Sequence, residues 1–140
     1  MTVKTKTVQV SSKGFSDVID ITDEIQTALD DTDLNDGVVT IFVPGATAGV
    51  TTLEFESGCI QDLKKAFDHL VPQSEHYAHN ARWGDGNGFS HIRAALLGAS
   101  LQVPFARKKL LTGTWQQIVL VDFDNRPRRR EVILQFMGEA

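Results

Sequence analysis

An α+β fold built on a mostly antiparallel β-sheet is what this sequence predicts, and three observations carry the prediction. Short runs of apolar and polar alternation recur between turn-forming residues, as in Lys4–Val10 and Phe15–Ile21. One run, Gly37–Val43, is almost wholly apolar and reads as a central buried strand. Helical periodicity is confined to brief stretches, so two or three short helices accompany the sheet.

In chain order, Lys4–Val10 and Phe15–Ile21 flank Gly14 and read as two strands of a hairpin. Thr22 follows as a helix N-cap, with Asp23 and Glu24 favourably placed in the first turn and Ile25, Ala28 and Leu29 on one face. The polar turn 30–37 leads into the buried strand, which Pro44 ends. Residues 51–56 are β-prone. Ser57 is placed to cap a helix whose apolar face is Ile60, Leu63, Phe67 and Leu70, stopped at Pro72. Residues 73–90 read as a long polar loop, followed by a short helix over 92–97 and strands over 101–105, 115–123 and 131–136.

The chain has 140 residues, 41% of them hydrophobic, which suits one domain over 1–140 with a real core. A net charge of −4, with no aromatic residues interleaved in its one basic run, argues against a nucleic-acid partner. No apolar run approaches the roughly 18 residues of a membrane span, and the first residues lack an apolar signal core. Cys59 is the only cysteine, so no intrachain disulfide can form. The expectation is a soluble, cytoplasmic protein.

Four clusters bear chemistry. The densest is Tyr77-x-His79 followed by Trp83-Gly84-Asp85-Gly86-Asn87-Gly88-x-Ser90-His91, where three glycines free the backbone to approach a ligand. His79, Asp85 and His91 supply an acid/base pair or part of a metal site, and the alternative is a Gly-rich surface loop with scattered histidines. In the second, Thr47, Thr51 and Thr52 offer hydroxyls to a phosphate after Pro44-Gly45, and Glu54 and Glu56 share one strand face as a base or as a solvated edge. The third, Gly113-Thr114-Trp115-Gln116, lines a ring pocket or belongs to the core. In the fourth, Arg128 and Arg130 alternate with Arg129 on a strand after the Asn125–Pro127 turn, either holding phosphate or facing solvent. His69 reads as structural and His76 as solvent-facing.

Tyr77-x-His79, Asp85-Gly86-Asn87-Gly88-x-Ser90-His91-Ile92-Arg93-Ala94, Leu97-Gly98-x-Ser100, Val103-Pro104 and Gly113-Thr114-Trp115-Gln116 stand in the order of the YjbQ family, as do Asp124, Arg128–Arg130 and Gly138-Glu139. From about residue 37 to 139 the chain resembles that family. The resemblance implies a bifurcated sheet folded into a pseudo-barrel, a homotrimer, and a thiamine-phosphate synthase-like transferase. Such an enzyme joins hydroxymethylpyrimidine diphosphate to a thiazole phosphate and releases pyrophosphate. The implied partner is a small phosphorylated heterocycle. Implied site residues are Thr47, Glu54, His79, Asp85, Asn87, His91, Ser100 and Gln116, with Arg93 or Arg129 on the diphosphate and Trp115 and Phe89 stacking on a ring. Rival expectations are a non-catalytic phosphate- or metal-binding trimer and a metal-assisted hydrolase. His79 and His91 with Asp85 or Glu54 would hold zinc or magnesium. Many family members carry histidine where this chain has Gly45 and Phe89, so a His-x-His metal pair here would lose one ligand.

Overall fold

The computed structural model describes residues 1–140. The chain runs β1 (Thr2–Ser12), β2 (Asp17–Asp20), α1 (Thr22–Asp30), β3 (Asp36–Phe42), β4 (Ala48–Leu53), α2 (Ser57–Leu70), α3 (Ala78–Trp83), α4 (Gly88–Leu97), β5 (Ser100–Ala106), β6 (Lys109–Leu110), β7 (Gln117–Asp122) and β8 (Arg128–Glu139). All strand pairs are antiparallel, in a five-stranded sheet of order β1-β8-β3-β5-β6 and a three-stranded sheet of order β2-β7-β4. Both sheets contribute to one main core, around which they curl as a half-barrel; the fold is the expected α+β class.

β7 explains how the helices attach. Five of its six residues are buried, because both of its faces are covered. Its period of two sends Ile118 and Leu120 into the main core with α1. Val119 and Val121, with Phe123 just beyond, enter a second cluster with Val18, Phe67 of α2 and Ala94 of α4. Phe67 and Phe123 pack with ring centroids 4.8 Å apart. The helix that carries His91 is thus fixed to the outer face of β7.

The first two strands do not form the expected hairpin. β1 pairs with β8 and β2 with β7, in different sheets. Gly14, Phe15 and Ser16 all have left-handed backbone (φ of 77°, 53° and 65°), and Phe15 N–H donates to Asp124 O at 2.7 Å. The chain is therefore carried across to the second sheet instead of folding back.

Helix starts shift by a residue for clear reasons. Asp20 accepts from Thr22 N–H and Thr22 Oγ1–H, leaving the Thr22 hydroxyl oxygen to accept from Ile118 N–H at 2.8 Å. Glu56, not Ser57, caps α2 by accepting from Gly58 and Cys59 N–H; these bonds, Gly58's first, hold its carboxyl below the usual range.

The expected loop over 73–90 instead contains α3 and the first turn of α4, which begins four residues before its predicted start. Gly84 (φ 73°) ends α3 in the left-handed conformation, and Asn80 Oδ1 accepts from Gly88 N–H at 2.8 Å. Side-chain bonds of this kind leave no trace in apolar periodicity. β7 begins two residues after its predicted start, leaving Trp115 and Gln116 outside it, while β8 extends beyond 131–136 at both ends. No helix is long and apolar enough to cross a membrane.

Phe123→Ala should destabilise the fold by about 3–5 kcal/mol, since it empties the contact between β7 and α2. Urea denaturation of the variant measures this, and a loss under about 1 kcal/mol would show that the second cluster is not a packed core.

Candidate functional site

Where β7 ends, two buried aspartates meet two arginines of β8. Asp122 and Asp124 are both fully buried. Arg130 grips Asp122 bidentately, Nε to Oδ2 at 2.7 Å and Nη2 to Oδ1 at 2.9 Å, while Arg128 Nη2 reaches Asp124 Oδ2 at 2.7 Å. Thr47 links the pairs, accepting from Arg130 Nη2 at 2.6 Å and donating to Asp124 Oδ2 at 3.0 Å. Ser12 of β1 donates to Asp122 at 2.6 Å. Burial opposes ionisation of Asp124, but bonds from Asn125 N–H, Arg128, Asn87 and Thr47 outweigh it and hold its pKa below the usual value.

This network positions the start of α4. Asn87 Nδ2–H donates to Asp124 Oδ1 at 3.3 Å, which fixes the amide because a carboxylate only accepts. Asn87 Oδ1 is left buried without a donor. Four residues on, His91 meets His79 of α3, ring centroids 4.3 Å apart and planes tilted by 40°. His79 Nδ1 lies 3.4 Å from Asp85 Oδ1, yet the two are misaligned, and the buried Nδ1 makes no hydrogen bond. Burial first, and the neighbouring His79 second, lower the His91 pKa, partly offset by Asp85 and Asp124. At neutral pH His91 is an uncharged imidazole able to accept a proton.

His91 borders a cleft of about 250 Å³ whose other walls are small residues, among them Gly45, Ala48, Ala95 and Gly98. Gly45 (φ 126°) stands against Arg130: a Cβ there would lie 3.1 Å from Arg130 Nη1. That nitrogen is the one arm of the guanidinium that makes no hydrogen bond in the chain. The cleft thus carries a neutral imidazole on one wall, and an unused guanidinium N–H stands beside Gly45 of another.

The family model described as UPF0047 protein YjbQ-like matches residues 6–139. The chain belongs to the YjbQ-like UPF0047 family. A UPF0047 protein of Archaeoglobus fulgidus is 36% identical over 85% of this chain and 90% of its own. UPF0047 protein YugU of Bacillus subtilis is 34% identical over 95% and 98%. Among solved structures, a YbjQ-like protein of unknown function from Sulfolobus solfataricus superposes with a TM-score of 0.93 at 30% identity, covering 99% of both chains.

These findings correct the expected thiamine-phosphate transferase. The curated relatives carry only UPF0047 names and the solved one is described as of unknown function, so UPF0047 membership brings no such activity with it. The metal-based alternatives find no ready ligand set within one chain. His79, His91 and Asp85 do gather, but no three His, Cys, Asp or Glu side chains are arranged to hold a metal ion. Positions 89 and 91 point about 160° apart around α4, so a histidine at 89 would not share a ligand with His91. Phe89 is in fact fully buried, with the Arg93 guanidinium 5.0 Å from its ring centre, and cannot stack on a ligand.

The other expected site residues divide. Thr47, Asn87, His79, Asp85 and His91 come together as described. Arg93 does not serve an anion: it is buried and donates to Val71 O, Ser16 Oγ and Asp68 Oδ1, tying α4 to its surroundings. Arg129 is exposed, on the face of β8 opposite the aspartates. Ser100 is exposed at the start of β5. Glu54 and Gln116 line a separate cleft with Thr52 and Trp115. Trp115 is 75% exposed and so is not core. Seven residues of extended chain, about 23 Å, separate Glu54 from Thr47. Arg128 and Arg130, expected to hold phosphate or to face solvent, instead pair with the buried Asp124 and Asp122. The signal for Arg130 lay in the alternation that sets it on one face with Arg128, whereas nothing in the sequence marked Asp122 as its partner.

NMR titration should place the His91 pKa below 6.5, and His79→Gln should move it upward by removing the repulsion. Between its folded and unfolded values the unfolded chain holds more protons. Stability is therefore full above about pH 6.5 and falls on acidification through the folded pKa. A His91 pKa above 6.5 would contradict this picture of the cleft.

Proposed function

We propose that this UPF0047 protein binds a small molecule carrying an anionic group, such as a phosphorylated heterocycle, in the His91 cleft. His91 moves a proton on that molecule. The supporting observation is the neutral, partly buried imidazole packed at a tilt against His79, on a cleft whose Gly45 stands against the unused Nη1 of Arg130. A base whose pKa lies somewhat below neutrality is available at physiological pH without metal assistance. His79, with Asp85 beside it, keeps the His91 ring oriented, and Arg130 Nη1–H takes the anionic group. The small side chains at Ala48, Ala95 and Gly98 set the size limit: about 250 Å³ admits one ring with a substituent and little more.

We also propose assembly as a homotrimer in the cytoplasm. Ile92 and Leu96, one turn apart on the outward face of α4, and Phe55 and Trp115 near the Glu54 cleft are exposed apolar groups. Joining the two patches between protomers would bring Glu54 and Gln116 to a neighbour's histidines. Light scattering should then give three times the mass of one chain, and Leu96→Asp should reduce it.

A thermal-shift screen of small phosphorylated and carboxylated heterocycles should yield compounds that raise the melting temperature. Ala95→Phe, which fills the cleft from its exposed rim, should abolish the shift. His91→Asn should keep binding but slow solvent-deuterium exchange into the bound compound by about 10²–10⁴-fold. Equal binding to the Ala95→Phe protein would place the ligand elsewhere.

A further inference from the structure

The five-stranded sheet has two free edges, β1 and β6, and α1 lies across the opening between them. On the β6 side the seam is sealed. Gln26 of α1 accepts from Leu110 N–H at 3.1 Å and donates to Lys108 O at 2.9 Å, so its amide bonds the strand as a neighbouring strand would. On the β1 side there is no counterpart. All of β1's backbone pairing is with β8, and a cleft of about 680 Å³ separates Lys6, Thr7 and Val8 from Asp23, Glu24 and Asp31. Three consecutive strand residues line it, although their side chains alternate between the two faces, so the cleft meets the strand edge-on. Alternate residues of an antiparallel edge strand turn N–H and C=O away from the partner, here toward the cleft.

The usual protections of such an edge are few. β1 is eleven residues long, has no proline, and keeps unbroken one-to-one register from Thr2↔Gly138 to Ser12↔Arg128. Charge selects the occupant. Asp23, Glu24 and Asp31 are exposed and form no ion pair, and Lys6 is the one base lining the cleft. A second copy's β1 brings only Lys4 and Lys6 as bases, and antiparallel β1–β1 pairing centred on Thr5 would set these two opposite each other twice over, so like charge disfavours that register. We propose that the seam between β1 and α1 receives an extended, basic segment of a partner protein, added as a sixth strand beside β1 with lysine or arginine side chains turned to α1.

The probe is an acetylated, amidated heptapeptide alternating lysine and valine, titrated into the full chain and followed by backbone amide shifts and hydrogen exchange. The peptide should protect amides within Thr5–Gln9 and shift those of Thr27 and Ala28. Its affinity should fall about tenfold or more in the Asp23→Asn, Glu24→Gln, Asp31→Asn protein, whose changes are all on the exposed surface. The same peptide N-methylated at alternate residues should not bind. Absence of protection on β1, or equal binding of the N-methylated peptide, would overturn strand addition. So would protection of the same amides by self-association without peptide.

Discussion

The bidentate pairing of Arg130 with Asp122 is the constraint on which the rest of this structure depends. Both groups are withdrawn from water, and a charge so placed is tolerated only when its hydrogen-bonding capacity is met. Meeting it recruits Ser12 of β1, Thr47 before β4, and, through Asp124, Arg128 of β8 and Asn87 before α4. One cluster at the end of β7 thus joins both sheets to the loop that begins the histidine helix. Two aspartates balance two arginines, so the cluster brings no net charge. One guanidinium nitrogen, Arg130 Nη1, is left without a partner in the chain.

Apolar packing sets the same geometry from the other side. Because β7 buries both faces, the main core and the smaller cluster share one strand, and α4 cannot shift without disturbing Phe123 and Ala94. Arg93, spent on Val71, Ser16 and Asp68, pins the inner face of that helix. His91 is therefore presented from a rigid support, and the backbone of Asp85 beside His79 is tied to the same region by Asn125, whose Nδ2–H donates to Asp85 O at 2.9 Å.

The half-barrel treats its two edges differently. A single glutamine closes one, while the other is left open beside an acidic helix. Closure by Gln26 shows that α1 is near enough to bond β6, whereas a cleft of about 680 Å³ lies between α1 and β1.

Composition and periodicity sufficed for the α+β class, a central strand at 37–43 (buried on one face only, at Val39, Ile41 and Val43), and the apolar faces of α1 and, but for the exposed Leu70, of α2, because each depends on neighbours a few residues apart. The histidines, Asp85 and Asn87 could be picked out for the same reason, being carried by one short glycine-rich stretch. Partnership across the chain could not. That Arg93 is structural, that Glu54 and Gln116 lie in another cleft, that β1 and β2 separate into different sheets, and that Arg130 meets Asp122 are all decided by contacts between distant segments. A side chain's chemical type is local information, but whether its charge is spent within the fold or left for a ligand depends on what the tertiary structure brings against it.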